Sequence, residues 1–207
     1  PIDDQLNMLM REPIVCPLTG ITHYCSPNYI INMASDSAVE RSVSDPTACM
    51  RNNYELMINM LEYARTLPRL KLFLHISTDE VYGEAPQYGG HHEWSPIVPS
   101  NPYAASKAAQ EALAIAYWRT YNVPVVIVNI MNVIGERQNT EKFLPKLIQR
   151  IHQGYEMPIY ADSEDKIGSR VYIDAKNVAD ALMFLVEKEP TRYDPTWTPK
   201  HIKLPSM

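Results

Sequence analysis

Tyr103 and Lys107 stand four residues apart in the run YAASK. On a helix that spacing puts both side chains on one face. An ammonium held there favours ionisation of the phenol and lowers its pKa from the ordinary value of about 10. A phenolate near neutral pH can take the proton of an alcohol while hydride leaves the same carbon. A second group, Ser77, Thr78, Asp79 and Glu80, opens STDEVYGE, directly after the apolar run KLFLHI. Unpaired polar groups are costly in a core, so this cluster belongs in a cleft beyond a strand's carboxyl end, where open parallel sheets hold ligands. Two adjacent carboxylates there can divide acid and base roles when their surroundings separate their pKa values. Each set alone has a plainer reading. Tyr and Lys four apart commonly form a surface contact, and Asp79 or Glu80 can cap a helix. The two sets together point to chemistry.

Something must carry these residues to one place. Three short, mostly apolar, β-favouring runs read as strands buried on both faces: YIINMA from Tyr29, KLFLHIS (71 to 77) and VPVVIVNI (123 to 130). Between the first two, Met50, Tyr54, Met57, Ile58 and Leu61 recur at spacings of three and four, which predicts a helix from Asp45 to Thr66. Asp45 is a good N-cap and Pro46 a good first helical residue. Between the second and third, an Ala-rich stretch predicts a helix from Pro102 to about Tyr121. Strand, helix, strand, helix, strand is the order of an α/β fold with a parallel, Rossmann-like sheet and helices on both faces. Beyond Ile130 the pattern loosens into a loop, a helix over 142 to 152, a short strand and a helix after Tyr172, suggesting a small partial cap on the carboxyl ends of the strands. Residues 1 to 27 read as a fragment of helix and then loop, and the last residues as a proline-rich tail.

Composition narrows the partners. The net charge of −5 is spread over interspersed residues of both signs, so neither a nucleic-acid groove nor an anionic membrane surface is indicated. No apolar run reaches the roughly 20 residues of a membrane span, and the N-terminal run lacks the pattern of a signal peptide, which predicts a cytoplasmic protein. Cys16, Cys25 and Cys49 are odd in number without metal-ligand spacing and read as buried thiols. His91, His92 and Glu93 sit in a Gly- and Pro-flanked loop and do not converge as helical ligands do, so no metal is expected. Tyr117, Trp118 and Tyr121 read as helix packing.

Taken as motifs, NMASDSAVERS (32 to 42), STDEVYG (77 to 83), NPYAASK (101 to 107), NVIGERQNTEKFLP (132 to 145) and GSRVYI (168 to 173) resemble the extended short-chain dehydrogenase/reductase family. Within it they are most similar to the nucleotide-sugar 4,6-dehydratases, because epimerases of that family generally lack the carboxylate pair. The likeness covers roughly residues 28 to 190. It implies an NAD cofactor and an NDP-hexose substrate, dTDP-glucose or similar, converted to a 4-keto-6-deoxy sugar. Tyr103 would take the proton of the carbon 4 hydroxyl, aided by Thr78, with Lys107 holding the ribose. Glu80 would remove the carbon 5 proton and Asp79 would protonate the departing hydroxyl at carbon 6. The likeness places Ala34, Ser37, Asn53 and Ser77, with Tyr103 and Lys107, at the cofactor. It places Arg41, Asn132, Glu141, Lys142 and Arg170 at the substrate, where a guanidinium suits phosphate oxygens. Ser37 and Arg41 are expected in one loop. A homodimer through helices 45 to 66 and 102 to 121 is also implied.

Residues 1 to 131 are then a partial Rossmann-like NAD-binding domain, and 132 to 207 a partial substrate-binding region interleaved with it. The sequence departs from the family pattern in having no glycine-rich dinucleotide loop: Gly20 stands alone and the other six glycines fall at or after Gly83. The expectation is an incomplete chain whose first βαβ unit is absent, and which by itself holds NAD weakly. Ala38 also stands where the family has His, and Leu56 where it has Gly. The rival readings are an epimerase or 5,6-dehydratase with the same Tyr103 and Lys107, and a non-catalytic scaffold.

Overall fold

The computed structural model describes residues 14–15, 22–23, 27–86, 89–161 and 163–188. Cys16, Cys25, the helix fragment expected near the start and the proline-rich tail lie outside the described residues. Where a loop was expected, Ile14–Val15 (β1) and Thr22–His23 (β2) pair as a short antiparallel ladder.

Three parallel strands carry the fold: Tyr29–Asn32 (β3), Leu72–Thr78 (β4) and Val125–Ile130 (β5), with β4 in the centre. Ile30 lies opposite Phe73, Leu74 opposite Val126, and Ser77 opposite Asn129. The connections are helices, as parallel pairing requires. Val39–Ser44 (α1) is followed by Pro46–Arg65 (α2), and Pro102–Tyr121 (α3) leads into β5. The two long helices start as the sequence dictates. The Asp45 carboxylate accepts from the Ala48 N–H at 3.0 Å, and the Asn101 carbonyl from the Ala104 N–H at 2.8 Å, each with proline next in the chain. Asn122, at φ 57°, closes α3 in the left-handed conformation that Asn tolerates.

One face of the sheet packs Ile30, Phe73, Val125 and Ile127 on Met57, Leu61 and Ala64 of α2 and Ala114 of α3. The other packs Leu72, Leu74, Val126 and Val128 on Val178, Leu182 and Leu185 of the last helix, Ala175–Lys188 (α5). Full burial of a side chain such as Leu61 or Phe73 contributes about 1.5–3 kcal/mol relative to exposure. A second parallel pair, Asn132–Ile134 (β6) with Tyr172–Asp174 (β7), stands where the sequence reads as loop. The helix Phe143–His152 (α4) matches its expected place, but no strand forms over 153–160; Ala161 and Ile167 make only an isolated bridge.

Three packing expectations change. β3 is not buried on both faces: Ile30 and Asn32 point inward, while Tyr29 and Ile31 stay exposed, because α5 covers β4 and β5 and does not reach this edge. On α2 the inward face is Cys49, Asn53, Met57, Leu61 and Ala64; Met50 and Tyr54 are exposed on the far side. A polar Asn53 inside displaces the apolar stripe read from spacing. Tyr117 and Trp118 pack on the core as expected, but Tyr121 is exposed, against Tyr117 and beneath the Arg65 guanidinium.

Candidate active site

β4 ends at Thr78, and one turn of 3₁₀ helix, Asp79–Tyr82, begins there. The Thr78 hydroxyl accepts from the Glu80 N–H at 3.3 Å, lies 3.4 Å from Asp79 Oδ1 and hydrogen-bonds the Tyr103 side chain. The turn closes on Gly83, at φ 80°, where an added Cβ would come within 2.4 Å of the Val98 carbonyl oxygen. Only glycine fits so close an approach in that conformation. The chain thus leaves the strand with Asp79 and Glu80 projecting beside the start of α3. There Asn101 serves both elements: its carbonyl caps the helix and its Nδ2 donates to Glu80 Oε2 at 2.9 Å. Tyr103 is fixed from behind, its N–H donating to the Ser42 hydroxyl of α1 at 3.2 Å and its carbonyl accepting from the Ser106 hydroxyl at 2.7 Å.

The structure therefore brings Thr78, Asp79, Glu80 and Tyr103 together. Lys107 enters from below. It is 2% exposed, and its ammonium donates to the Ile76 carbonyl at 2.7 Å and to Gln110 Oε1 at 2.6 Å. This overturns the expectation that Lys107 depresses the phenol's pKa. Burial, and after it the Glu80 and Asp79 carboxylates, push the Tyr103 phenol well above its ordinary range, against the Thr78 hydrogen bond, which favours the phenolate.

Lys107 itself is pulled down to about 8 by burial, with the Glu111 carboxylate acting the other way. Its folded value lies below the ordinary 10.5, so the unfolded chain holds this proton more tightly. The charged lysine therefore costs stability below pH 8, and that cost is relieved as pH rises from about 8 towards 10.5. In urea titrations between pH 8 and 10 the wild type should gain up to about 1 kcal/mol of stability per pH unit relative to Lys107→Met. Parallel pH dependences of the two proteins would refute the assignment.

Two expected cofactor residues turn inward. Asn53 is fully buried: its Oδ1 accepts from the Asp36 N–H at 2.7 Å, and its Nδ2 donates to the Asp36 carbonyl at 3.0 Å and the Ser106 hydroxyl at 2.8 Å. It holds the loop after β3 in place and does not line the cleft. Ser77 is buried with its hydroxyl donating to Glu111. Ala34 and Ser37 do lie exposed in the loop at the carboxyl end of β3.

The expected substrate residues form two groups. At one rim, Lys142 donates to the Ser37 carbonyl at 2.9 Å and hydroxyl at 3.2 Å, and Arg41 pairs with Asp36 at 3.5 Å and Glu141 at 3.9 Å. Arg41 stands on α1, not in the loop with Ser37, since Ala38 starts a helix there. Asn132 and Arg170 belong to the β6–β7 side, where Asn132 Nδ2 donates to the Val171 carbonyl and Arg170 to the Ser169 carbonyl, each at 3.2 Å. A hollow of about 470 Å³ lies beside α4, lined by Ile134, Leu144, Ile148 and Asp174 among others, and it contains none of the Thr78 to Tyr103 group.

Sequence reasoning missed the polar floor of the site. His75, Gln110, Glu111 and Asn129 are at most 1% exposed. Asn129 Nδ2 donates to Glu111 Oε1 at 2.7 Å and to the Thr78 carbonyl at 3.1 Å, and Gln110 Nε2 donates to the Asn53 carbonyl at 2.6 Å. Burial and the Lys107 charge hold His75 well below its ordinary pKa and hence neutral. The available signal was a polar residue inside each apolar strand run, and Gln110 and Glu111 three and four residues past Lys107.

Comparison with known proteins identifies the family. Residues 18–195 match the NAD dependent epimerase/dehydratase family. A dTDP-glucose 4,6-dehydratase of Haemophilus influenzae is 39% identical over 175 residues, 79% of this chain and 52% of that protein. Among solved structures, the dTDP-glucose 4,6-dehydratase DesIV of Streptomyces venezuelae, determined with NAD bound, superposes with a TM-score of 0.71 at 30% identity, over 77% of this chain and 48% of that one. A UDP-N-acetylglucosamine 4-epimerase from Methanobrevibacter ruminantium gives a TM-score of 0.71 at 26% identity, over 86% and 54%. The chain spans between 24% and 56% of the length of such curated relatives. With the match running from β2 through the last described helix, the chain belongs to the NAD dependent epimerase/dehydratase family.

Proposed function

We propose that the protein carrying this chain is an NAD-dependent nucleotide-sugar 4,6-dehydratase, a hydro-lyase acting on dTDP-glucose or a similar NDP-hexose. One observation carries the reading: Thr78, Asp79 and Glu80 sit on a single turn whose hydroxyl touches Tyr103 and whose second carboxylate is aimed by Asn101. A proton acceptor for an alcohol and a pair of carboxylates for an elimination thus stand together at the carboxyl end of β4.

The chain's own groups fit NAD. Among the described residues, Lys107 uses two of its three N–H groups on Ile76 and Gln110, which leaves one for a ribose hydroxyl. NAD, when bound, supplies the hydride acceptor for carbon 4 and the donor for carbon 6. Tyr103, ionised to the phenolate before this step, takes the proton of the carbon 4 hydroxyl at its phenolic oxygen, while the Thr78 hydroxyl, whose hydrogen bond favours the phenolate, steadies that oxygen. The 4-keto group then acidifies carbon 5, and a Glu80 carboxylate oxygen removes the proton there. Asp79 delivers a proton to the hydroxyl leaving carbon 6, so water departs with the charge balanced. A proton on Asp79 also removes one of the two carboxylate charges that oppose ionisation of Tyr103. Arg41 and Lys142 at the rim, with Asn132 and Arg170 on the β6–β7 side, serve the sugar and diphosphate.

The exposed Met50 and Tyr54 on α2 support a homodimer through α2 and α3. The reaction is tested by product analysis with the full-length protein. NMR of the product from dTDP-glucose in deuterated water should show a 4-keto-6-deoxy sugar with deuterium at carbon 5. A carbon 4 epimer, a 5,6-ene product or unchanged substrate overturns the reading.

A further inference from the structure

Glu111 is the buried acid that the proposed reaction leaves unused. It is 0% exposed on α3, four residues past Lys107 and on the same inward face. Its Oε1 accepts from Ser77 of β4 and from Asn129 of β5, two residues that lie opposite each other in the sheet. Asn129 also holds the Thr78 carbonyl. One carboxylate thus joins the helix carrying Tyr103 and Lys107 to the strand ends beneath Thr78, Asp79 and Glu80. A carboxylate is an expensive way to accept two hydrogen bonds in a core. An amide oxygen would do the same without a charge, and the sequence uses Gln one position earlier.

We propose that Glu111 is a positioning residue whose charge keeps the buried Lys107 protonated and whose oxygen locks the two strand ends that present the reacting groups. The proposal rests on the reading of Lys107 as part of the reaction machinery, though its first test does not. The titratable groups facing this region are His75 on β4, Asp79, Glu80 and Tyr82 on the turn, Cys49 on α2, and Tyr103 and Glu111 on α3 itself. His75 is neutral. Asp79 and Glu80 act on Tyr103, and Glu111 is the carboxylate that acts on Lys107. Burial and this neighbour oppose each other on the ammonium, so removing the neighbour leaves burial alone.

The variant that separates charge from shape is Glu111→Gln, because its carbonyl can still accept from Ser77 and Asn129. Lys107 Nζ would be followed by NMR in ¹⁵N-lysine-labelled full-length protein, assigned through Lys107→Arg. In Glu111→Gln the proton affinity of Lys107 should fall at least about tenfold, the scale of losing an opposite charge at close range. Glu111→Asp, which keeps the charge, should hold it within about threefold of wild type. An unmoved Lys107 titration in Gln, or a tenfold fall in Asp, overturns the proposal and leaves Glu111 a structural acceptor. In turnover, the alkaline limb of kcat/KM should move to lower pH in Gln by the same factor and return in Asp. If the titration moves as expected but no variant, wild type included, oxidises a sugar nucleotide, the coupling stands and the dehydratase reading falls.

Discussion

Replacing Tyr103 with Phe should lower turnover of the sugar nucleotide by about 10²-fold or more, the scale of a lost acid–base group. Binding should change little. Phe fills the same volume, and the anchors of this residue are main-chain groups: its N–H on Ser42 and its carbonyl under Ser106. The loss should therefore fall on kcat, with the dissociation constant for sugar nucleotide, read by calorimetry, within a few-fold of wild type. Removing the phenol also takes a hydrogen-bond partner from Thr78. Thr78→Val should consequently share part of the same loss, and the two changes together should cost less than the sum of the separate costs. Unchanged turnover in Tyr103→Phe would mean that Tyr103 and Lys107 are only helix packing.

Glu80→Gln should stop the reaction one step later. The variant keeps an acceptor oxygen for Asn101, so the turn and the start of α3 should stay in register. Oxidation at carbon 4 should proceed, and transient NADH absorbance should appear on mixing with substrate. Deuterium uptake at carbon 5 should be slower by about 10²-fold. Asp79→Asn should differ: exchange at carbon 5 continues, while loss of the carbon 6 hydroxyl slows. Normal turnover in both variants would reduce STDEVYGE to a strand end with a capped turn.

The frame of the molecule was legible because its signals are local. Asp45–Pro46 announces its helix by capping chemistry, the Ala-rich run from Pro102 announces the next, and the mostly apolar runs at 71–77 and 123–130 announce strands buried on both faces. What escaped was decided between elements. Nothing in YIINMA says that Tyr29 and Ile31 sit at an edge that α5 does not reach. The spacing of Met50 and Tyr54 fits a buried stripe, yet the buried position is Asn53, because it has the loop at Asp36 and the helix at Ser106 to satisfy it. The same holds for the chemistry. The residue types of the site were readable, but the direction of the Tyr103 shift was not. It depends first on the burial of the phenol and then on the Glu80 and Asp79 carboxylates that act on it, while Lys107 is turned to the Ile76 carbonyl.

Asn101 shows how such a junction restricts what evolution or an engineer can write there. Asp, Ser and Thr start helices about as well as Asn, but the second task excludes them. Asp has only acceptors and would set a negative charge against Glu80, and Ser or Thr has one hydroxyl on a shorter arm. A primary amide alone carries an acceptor for the helix at one end and a donor for the carboxylate at the other. Variation at this position is thus governed by a conjunction of two requirements, and a substitution that a helix-propensity table ranks as neutral would disconnect Glu80 from its scaffold.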